Sequence, residues 1–464
     1  MSNIEVKTKK EKKQNNSSTT KVIILGFLIA ILMGTILLSL PFSNVEGEVD
    51  VLTALFTSTT SICVTGLVVV DTFSHWTLFG KIVILILIQL GGLGIVAFTS
   101  AVMLMFHKKV TLKDRMLIQD AYNLNSLQGV VRFMKKVIIG TFVVEFIGMI
   151  LYLIEFIPRF GVSKGIWYAG FNAVSAFCNA GIDIIGNDSL MSFSSSPLVL
   201  ITTMMLIFNG GIGFVVWWDV LEVTKKVIRK EVQLKHFFAK LTIHTKIVLA
   251  VTFSLIFTGF AMVLLFEFNN PDTIGHMSFG DKLLNSMFQS VTLRTAGFAS
   301  ISQGGLEEPT VMMCIIIMLI GGSPVGTAGG MKTVTFIVIL CSVVAVIKGR
   351  KEAIIFKRSI NEGLINKSLA VAFICVLAFF VFSTLLMLTN DFSMTDSTFE
   401  VASAIATVGL TRGITPDLNT VGKLIIILCM YLGRIGPISM FIAFSKKYTI
   451  KNSLHYAEAD IIVG

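Results

Sequence analysis

Four glycines recur along the chain at nearly equal intervals, and each one ends a short apolar stretch. They are Gly66, Gly181, Gly297 and Gly409, separated by 115, 116 and 112 residues. Glycine reaches backbone conformations that other residues avoid, so it suits a segment whose carbonyl oxygens must line a narrow tube. Carbonyl oxygens in such a tube replace the hydration shell of a monovalent cation. The spacing therefore predicts a cation-selectivity filter, a binding site without covalent chemistry.

Each glycine and the two residues before it form one predicted filter segment. The filter residues are Val64, Thr65, Gly66, Asn179, Ala180, Gly181, Thr295, Ala296, Gly297, Thr407, Val408 and Gly409. Each segment has one glycine, whereas the Thr-Val-Gly-Tyr-Gly signature of tetrameric potassium channels has two. We therefore expect fewer well-formed ion sites and less strict selectivity than in those channels.

An apolar stretch of about a dozen residues precedes each segment, too short to cross a bilayer of about 30 Å. These stretches are Val51–Ile62, Gly165–Phe177, Lys282–Leu293 and Asp396–Ile405. We interpret them as re-entrant half-helices, which the membrane interior tolerates when protein surrounds their ends. The negative end of a half-helix dipole at the membrane centre favours a cation.

Two further marks share the period of the filter glycines. A bulky apolar residue lies ten positions before each glycine, at Phe56, Phe171, Met287 and Phe399. A second glycine-rich site follows in the next apolar run, starting at Gly91, Gly210, Gly321 and Gly433. Correlated marks at one period predict a fourfold internal repeat. Chance in glycine-rich spans would explain one match, but not the shared spacing.

The apolar run Val311–Ile347 is interrupted by a stretch rich in glycine. The run has 37 residues, and as a helix it would be roughly 55 Å long, against a bilayer of about 30 Å. Irregular polar backbone at membrane depth is tolerated only beside protein or a watery cavity. We predict that Gly321–Gly330 is a gating loop below the filter, the alternative being a glycine kink for close helix packing. The predicted gate residues are Gly321, Gly322, Ser323, Pro324, Gly326, Thr327, Gly329, Gly330, Lys332 and Arg434.

Arg434 stands ten residues into the last apolar run, about 15 Å deep if that run is helical. An unpaired charge at that depth is costly, so we expect it to donate to carbonyls of the gating loop and to form a positive barrier. Pairing with Glu145 is the alternative, although Glu145 is expected to be a buried, hydrogen-bonded carboxyl. Lys332 either anchors the loop or extends toward the cytoplasm.

The elements that position these residues are membrane spans. Hydrophobic residues make up 54% of the 464 residues and charged residues only 14%, a composition that excludes an ordinary soluble domain. The predicted spans are Val22–Leu40, Ile82–Phe106, Val137–Ile157, Leu198–Val220, Ile247–Phe266, Val311–Ile347, Leu369–Leu388 and Leu424–Phe444. The predicted fold is an all-α polytopic membrane protein, in which four M1–pore loop–M2 repeats surround one central pore.

Most of the 38 Lys and Arg residues lie in the two tails and in alternate loops. The positive-inside rule then places both termini in the cytoplasm of a bacterial cell, with the chain in the plasma membrane. The net charge of +10 is explained by this topology and by affinity for lipid headgroups, so we expect no nucleic-acid partner. The predicted divisions are 1–21 (cytoplasmic N-terminal tail), 22–106 (repeat 1), 107–136 (cytoplasmic loop), 137–223 (repeat 2), 224–246 (cytoplasmic loop), 247–347 (repeat 3, with the gating loop at 321–330), 348–368 (cytoplasmic loop), 369–445 (repeat 4) and 446–464 (cytoplasmic C-terminal tail).

Other function classes fit less well. A membrane-embedded protease needs a catalytic set inside the spans, yet all six histidines lie outside the predicted spans and no HExxH or GxGD motif occurs. The six cysteines show no ligand spacing. A sodium-coupled secondary cation carrier with a midplane site is the stronger rival, because broken helices occur there too. We expect no enzyme activity and no bound organic cofactor, and any nucleotide control must come from another chain.

Three motifs resemble the Trk/Ktr/HKT superfamily of potassium transporters: Thr65-Gly66-Leu67-Val68-Val69-Val70-Asp71, the glycine-rich run Gly321–Thr333, and Tyr431-Leu432-Gly433-Arg434-Ile435-Gly436-Pro437. The ending Glu458–Gly464 is most similar to the pore subunit of bacterial Ktr systems. The resemblance implies potassium uptake, sodium as activator or co-ion, a homodimer of pores, and a cytosolic ring of nucleotide-binding regulatory subunits of the RCK type. Arg294 departs from the small residue of an idealised repeat, which puts the oxygen pattern of the third segment in doubt.

Overall fold

The computed structural model describes residues 21–47, 50–94, 96, 98, 100, 111–122 and 128–436. Most of the two predicted tails, the inner end of the second predicted span and the Ktr-like ending Glu458–Gly464 lie outside the described residues. The helices, in chain order, are α1 (Lys21–Leu38), α2 (Val51–Cys63), α3 (Thr72–His75), α4 (Leu78–Leu93), α5 (Leu112–Ala121), α6 (Val130–Phe160), α7 (Val162–Cys178), α8 (Pro197–Gly211), α9 (Phe214–Ile228), α10 (Phe237–Lys240), α11 (Ile243–Glu267), α12 (Phe279–Thr292), α13 (Glu308–Leu319), α14 (Thr333–Ile347), α15 (Glu362–Thr389), α16 (Met394–Ala406) and α17 (Thr420–Ile435). Short 3-10 turns cover Pro41–Ser43, Met191–Phe193 and Leu234–His236, and a small antiparallel hairpin pairs β1 (Ile354–Ile355) with β2 (Arg358–Ser359).

Helices α1, α6, α11 and α15 coincide with the first, third, fifth and seventh predicted spans. Each is long and apolar enough to cross a membrane, and only 22–39% of its most apolar window is buried inside the protein. Side-chain caps fix two of their starts, because Thr242 accepts from the backbone N–H of Thr245 and Asn361 from that of Gly363. The large outward apolar surface of these helices is what contact with lipid requires.

Within the described residues, a helix of each second predicted span ends at its glycine-rich site. Helix α4 ends at Leu93 and α17 at Ile435, and the glycine that caps each, Gly94 and Gly436, has a positive φ. The predicted span Leu198–Val220 is bent: α8 and α9 meet at an angle of 101°, and Gly213 at the bend adopts a φ of +87°. The alternative of a simple kink in the sixth run is wrong, since an irregular segment separates α13 from α14.

Short helices α2, α7, α12 and α16 occupy the four stretches predicted as half-helices, and they form the buried centre of the protein. One phenylalanine in each is fully buried: Phe56, Phe171, Phe288 and Phe399. Met287, which lies ten positions before Gly297, is 39% exposed, and its neighbour Phe288 takes the buried position. The third repeat is one residue shorter between its phenylalanine and its glycine, so the equivalent position moves by one.

Counted within the described residues, four helices, or five with α8 and α9 taken as one bent span, are long and apolar enough to cross a membrane. The eight-span layout with four repeats, and its division into the segments given above, stay predictions.

Candidate functional site

The four glycines predicted for the filter meet at one point of the structure. Their φ angles are all positive, +104° at Gly66, +66° at Gly181, +81° at Gly297 and +96° at Gly409. Residues with a side chain rarely adopt this backbone region. Four segments that are more than a hundred residues apart in sequence therefore converge through the residue type that their backbone geometry needs.

The contacts between these glycines close into a ring. A Cβ built on each glycine would collide with the carbonyl oxygen of the residue that precedes the next glycine. That oxygen belongs to Ala180 for Gly66 (2.6 Å), to Ala296 for Gly181 (2.6 Å), to Val408 for Gly297 (2.5 Å) and to Thr65 for Gly409. The contacts run from the first segment through the second, third and fourth and back to the first, so the four segments surround a common axis.

Each segment begins with a non-glycine residue in the left-handed conformation, two positions before its glycine. These residues are Val64, Asn179, Thr295 and Thr407, with φ between +51° and +69°. In the first, second and fourth segments this residue caps the preceding helix, and the next N–H donates back to a carbonyl five residues earlier, as Thr65 does to Thr60. The turn stops the helix and starts the filter segment at the same place.

Hydroxyl groups of the short helices hold the filter backbone from behind. Thr60 Oγ1 and Ser403 Oγ each accept from the N–H of the filter glycine in their segment, at 3.0 Å. Ser175 and Thr292 instead donate to the carbonyl just after the glycine, at 2.5 and 2.6 Å. All four lie four residues after the buried phenylalanine. That spacing was available in the sequence and was missed.

Three hydroxyls within the filter segments have no hydrogen-bond partner among the described residues. The Oγ1 atoms of Thr65, Thr295 and Thr407 are buried and accept or donate no hydrogen bond to another described residue. Buried hydroxyls are normally paired. Oxygen atoms left free beside a ring of carbonyls are the donor type that a hard monovalent cation takes in place of water.

Arg294 follows α12 and contacts residues outside the filter segments. The residue is 6% exposed, and its Nη2 lies 3.5 Å from Thr252 Oγ1 and from the carbonyl oxygen of Gly321. The missing residue in the third turn, rather than an added charge in the filter, is what distinguishes this segment. Thr295 and Ala296 still take their places in the ring.

The predicted gating loop lies in the notch made by the bend between α8 and α9. Backbone hydrogen bonds join Ser323 N to Gly211 O at 3.0 Å, Thr327 N to Gly210 O at 3.1 Å and Phe214 N to Val325 O at 3.0 Å. The far end of the loop touches the fourth filter segment, where Gly330 packs against the carbonyl of Ala406. The predicted gating loop therefore packs into the bend between α8 and α9, which the sequence did not predict.

Arg434 joins this loop to the end of α4. One guanidinium nitrogen donates to the carbonyl of Thr327, and the other donates to the carbonyl of Gly91. The alternative partner Glu145 instead accepts from Gln89 Nε2 at 3.0 Å and is 5% exposed. Lys332 Nζ donates to the carbonyl of Ala328 at 2.6 Å, so it anchors the loop from within. The expected contact between Arg434 and the loop is present, and the alternative pairing with Glu145 is wrong, because Glu145 pairs with Gln89.

A cavity of about 480 Å³ opens on the filter glycines and on the loops that follow them; we call it the outer cavity. Its charged lining residues are Asp71, Asp183, Asp188 and Arg412. Burial raises the pKa of Asp183 to about 6, with a smaller contribution from Asp71. Three carboxyl groups against one guanidinium make this cavity attractive to cations at neutral pH.

Cation entry should therefore depend on the protonation of Asp183. As the pH falls through about 6, this carboxyl gains a proton and its attraction for a cation is lost. We expect the apparent KM for the transported cation to rise about two- to fivefold between external pH 7 and pH 5, with the maximal rate little changed. Rubidium uptake at low concentration measures this, and an Asp183→Asn variant with the same pH profile as the parent would contradict it.

The chain is similar to cation transport proteins over nearly its whole length. The family model described as "TrkH: Cation transport protein" matches residues 2–456. The chain is 38% identical over 444 residues to Ktr system potassium uptake protein B of Bacillus subtilis, covering 96% of each chain. It is 37% identical over 445 residues to potassium/sodium uptake protein NtpJ of Enterococcus hirae, covering 95% of this chain and 96% of that one.

A solved structure shares the fold. The crystal structure of the potassium transporter TrkH from Vibrio parahaemolyticus superposes with a TM-score of 0.69 over 90% of this chain and 84% of that chain, at 16% identity. That likeness concerns the arrangement of helices alone, whereas the family model and the two relatives extend over nearly the whole sequence. The chain therefore belongs to the TrkH family of cation transport proteins, which are transporters and not enzymes.

Proposed function

We propose that this chain is the pore subunit of a Ktr-type system that takes up potassium ions through the ring of four filter segments. The observation that carries the proposal is the closure of that ring: every filter glycine packs on the carbonyl before the next one. Glycines at positive φ, free hydroxyls and helix ends converge there, and each favours a dehydrated cation. The names of the relatives, for potassium uptake and for potassium and sodium uptake, agree in the ion.

Flux through the purified chain tests this proposal. Proteoliposomes loaded with potassium chloride and diluted into potassium-free buffer should concentrate external rubidium when they contain the chain, and empty vesicles should not. Uptake of rubidium no greater than that of empty vesicles, from protein that is folded and inserted, would contradict potassium transport by this subunit.

Sodium has two possible roles, and the same vesicles separate them. A carrier coupled to sodium has broken helices like α8–α9 and α13–α14, so the carrier remains the second candidate. Coupling requires that an inward sodium gradient drive rubidium uptake against its own gradient. Activation requires only that sodium raise the rate. We propose activation, because the four filter segments pack on one another in a single closed ring, whereas a carrier binds its ions between two repeats that move against each other.

We infer that Gly321–Gly330 acts as a gate held by Arg434 and Lys332. The loop lies against the fourth filter segment at one end and in the α8–α9 notch at its middle. Irregular backbone there has its hydrogen-bonding groups met by neighbouring backbone and by two basic side chains. A loop secured by a few such bonds has a second arrangement at small cost, which is what a gate needs.

We propose that a cytosolic ring of nucleotide-binding RCK-type subunits controls this gate, and that the chain works as a homodimer in the bacterial plasma membrane with both termini inside. On the predicted cytoplasmic side, the rings of Phe238 and Phe356 pack 6.3 Å apart and join the loops 224–246 and 348–368. Both rings are 46% exposed. Lys357 and Arg358 lie beside Phe356 in the β1–β2 hairpin, so the surface offers an apolar centre and a basic rim.

Docking on this surface should depend on Phe356. We expect Phe356→Ser to weaken binding of the regulatory ring by about tenfold, since a buried aromatic anchor commonly contributes over 1 kcal/mol. Basal rubidium uptake by the chain alone should not change. Binding of the labelled ring to vesicles measures the effect, with Phe257→Ser on a lipid-facing part of α11 as the control. Equal affinity for the Phe356 variant and the parent would place the ring elsewhere.

A further inference from the structure

Glu400 is a buried carboxyl that neither the filter ring nor the gating loop uses. It lies in α16 directly after Phe399 and is 0% exposed. Thr411 Oγ1 donates to its Oε2 at 2.7 Å, and Thr415 Oγ1 donates to its Oε1. A carboxyl taken out of water is costly unless donors replace the lost hydration. Both donors come from the segment that leaves Gly409.

The carboxyl is the centre of a small network that fixes this segment. The two threonine hydroxyls lie 2.9 Å apart, and the N–H of Gly413 donates to Thr411 Oγ1 at 3.1 Å. Thr415 is also 0% exposed. The backbone from the filter glycine to Thr415 is thus joined to the helix that precedes the filter, by hydrogen bonds between residues 11 and 15 positions apart.

The network also sets the place of Arg412, which lies between the two threonines in sequence and lines the outer cavity. Its Nε donates to Asp396 Oδ1 at 2.7 Å, and its Nη1 donates to the carbonyl of Gln303 at 3.2 Å. Gln303 pairs in turn with Gln289 of α12, at 2.6 and 3.1 Å. The fourth segment is therefore joined to the third through the outer loops.

The position after the buried phenylalanine carries a different polar residue in each repeat: Thr57, Asn172, Gln289 and Glu400. All four are at most 2% exposed. Gln289 reaches the outer loop of its own repeat as Glu400 does, through Gln303. Glu400 instead accepts from two hydroxyls of the segment that directly follows its filter glycine, so in the fourth repeat two hydrogen bonds join the helix before the filter to the segment after it.

We propose that Glu400 is a positioning residue for selectivity: it holds the backbone after Gly409, and with it the fourth side of the filter, at the radius that favours potassium over sodium. The proposal rests on the filter proposed above. Glu400 touches no ion in this account. It acts through Thr411 and Thr415, because a segment released from them is free to close around a smaller cation.

The test uses the full-length chain in proteoliposomes and measures the ratio of rubidium to sodium uptake. Glu400→Ala removes the acceptor, and the double variant Thr411→Val, Thr415→Val removes both donors at nearly constant volume. Each should lower the ratio by about tenfold, the scale of losing one buried hydrogen bond. Glu400→Gln keeps one acceptor oxygen and should give an intermediate ratio.

Glu267→Gln is the matched control. Glu267 is also 0% exposed and accepts from Thr273 Oγ1 at 2.8 Å, from Asn270 Nδ2 at 2.6 Å and from the N–H of Glu307 at 3.0 Å. These partners lie in the turn after α11 and directly before α13, and not in the residues that directly follow a filter glycine. This variant should keep the parental ion ratio, whatever its yield. A fall in the ratio as large as that of Glu400→Gln would overturn the proposal, since any buried carboxyl would then have the same effect.

Gly409→Ser separates failure of this proposal from failure of the filter. If the ratio falls in Gly409→Ser but stays parental in the threonine double variant, the filter stands and the role of Glu400 is wrong. A parental ratio in both would overturn the filter assignment and this proposal with it. If Glu400→Ala does not insert, the threonine double variant decides alone.

Discussion

Serine in place of any one of Gly66, Gly181, Gly297 and Gly409 is expected to lower the ratio of rubidium to sodium uptake by at least about tenfold, which corresponds to 1.4 kcal/mol. The added Cβ would approach a neighbouring carbonyl oxygen to 2.6 Å or less, so that carbonyl must move. The positive φ adds strain of about 1 kcal/mol for a residue with a side chain. Both effects displace the oxygens that replace the hydration shell.

Gly161→Ser is the control for this series. Gly161 also has a positive φ of +80°, but a Cβ there meets nothing within 4 Å. It isolates conformational strain from the collision with a carbonyl, and its ion ratio should remain parental. Uptake of both ions from paired vesicle samples gives the ratio without a correction for yield. Parental ratios in all four filter variants would show that these glycines do not select the ion.

Arg434→Ala should raise cation flux severalfold while the rubidium-to-sodium ratio stays near the parental value. The guanidinium bridges the carbonyls of Thr327 in the loop and Gly91 at the end of α4, so its loss both frees the loop and removes a positive charge below the filter. Charge-assisted hydrogen bonds of this kind contribute about 1.5–3 kcal/mol each. Initial rates of rubidium uptake, normalised to inserted protein, measure the gain.

Two further variants distinguish release of the loop from loss of the positive charge. Shortening the loop between Gly322 and Gly330 should also raise flux, and its combination with Arg434→Ala should be less than additive, because both changes release one contact. Arg434→Lys keeps the charge but cannot hold two carbonyls in the planar fork of arginine. Flux in Arg434→Lys then reports how much of the barrier is charge. An Arg434→Ala protein that folds, inserts and conducts less than the parent would contradict the gate.

The convergence of the four filter segments was predictable from the sequence because it depends on residue type at a fixed period. Gly66, Gly181, Gly297 and Gly409 adopt a positive φ, which few other residues tolerate. The spacing of these glycines therefore indicates where the four equivalent segments lie in the chain. The short helices were found for a similar reason: a dozen apolar residues bounded by polar caps such as Asp50 and Ser393 leave few alternatives.

The register of the third repeat and the direction of the chain after α8 were less predictable. A count of ten residues back from Gly297 gives Met287, whereas the third repeat lacks one residue at this point and buries Phe288. The bend of 101° between α8 and α9 was missed because an uninterrupted apolar run is compatible with either a straight or a broken span. The loop that fills the bend comes from a distant part of the chain, and no local pattern shows that packing.

For buried side chains, the sequence predicted the kind of hydrogen-bond partner but not the individual residue. A buried arginine needs carbonyls or carboxylates, so the loop and Glu145 were both open for Arg434, and tertiary packing decided for the loop. Glu400 was passed over because its partners, Thr411 and Thr415, belong to a segment whose direction depends on the filter turn. The sign that was available, a polar residue directly after each buried phenylalanine, requires the corrected register of the third repeat to be seen.

The position of a bound ion tests most directly whether the four glycine segments form the filter. Anomalous scattering from crystals grown in rubidium chloride shows where a potassium analogue rests in the chain. We expect rubidium on the axis of the ring, with the carbonyl oxygens of Thr65, Ala180, Ala296 and Val408 as its nearest neighbours. Rubidium bound elsewhere in the protein, with no density inside the ring at a concentration that saturates uptake, would contradict it.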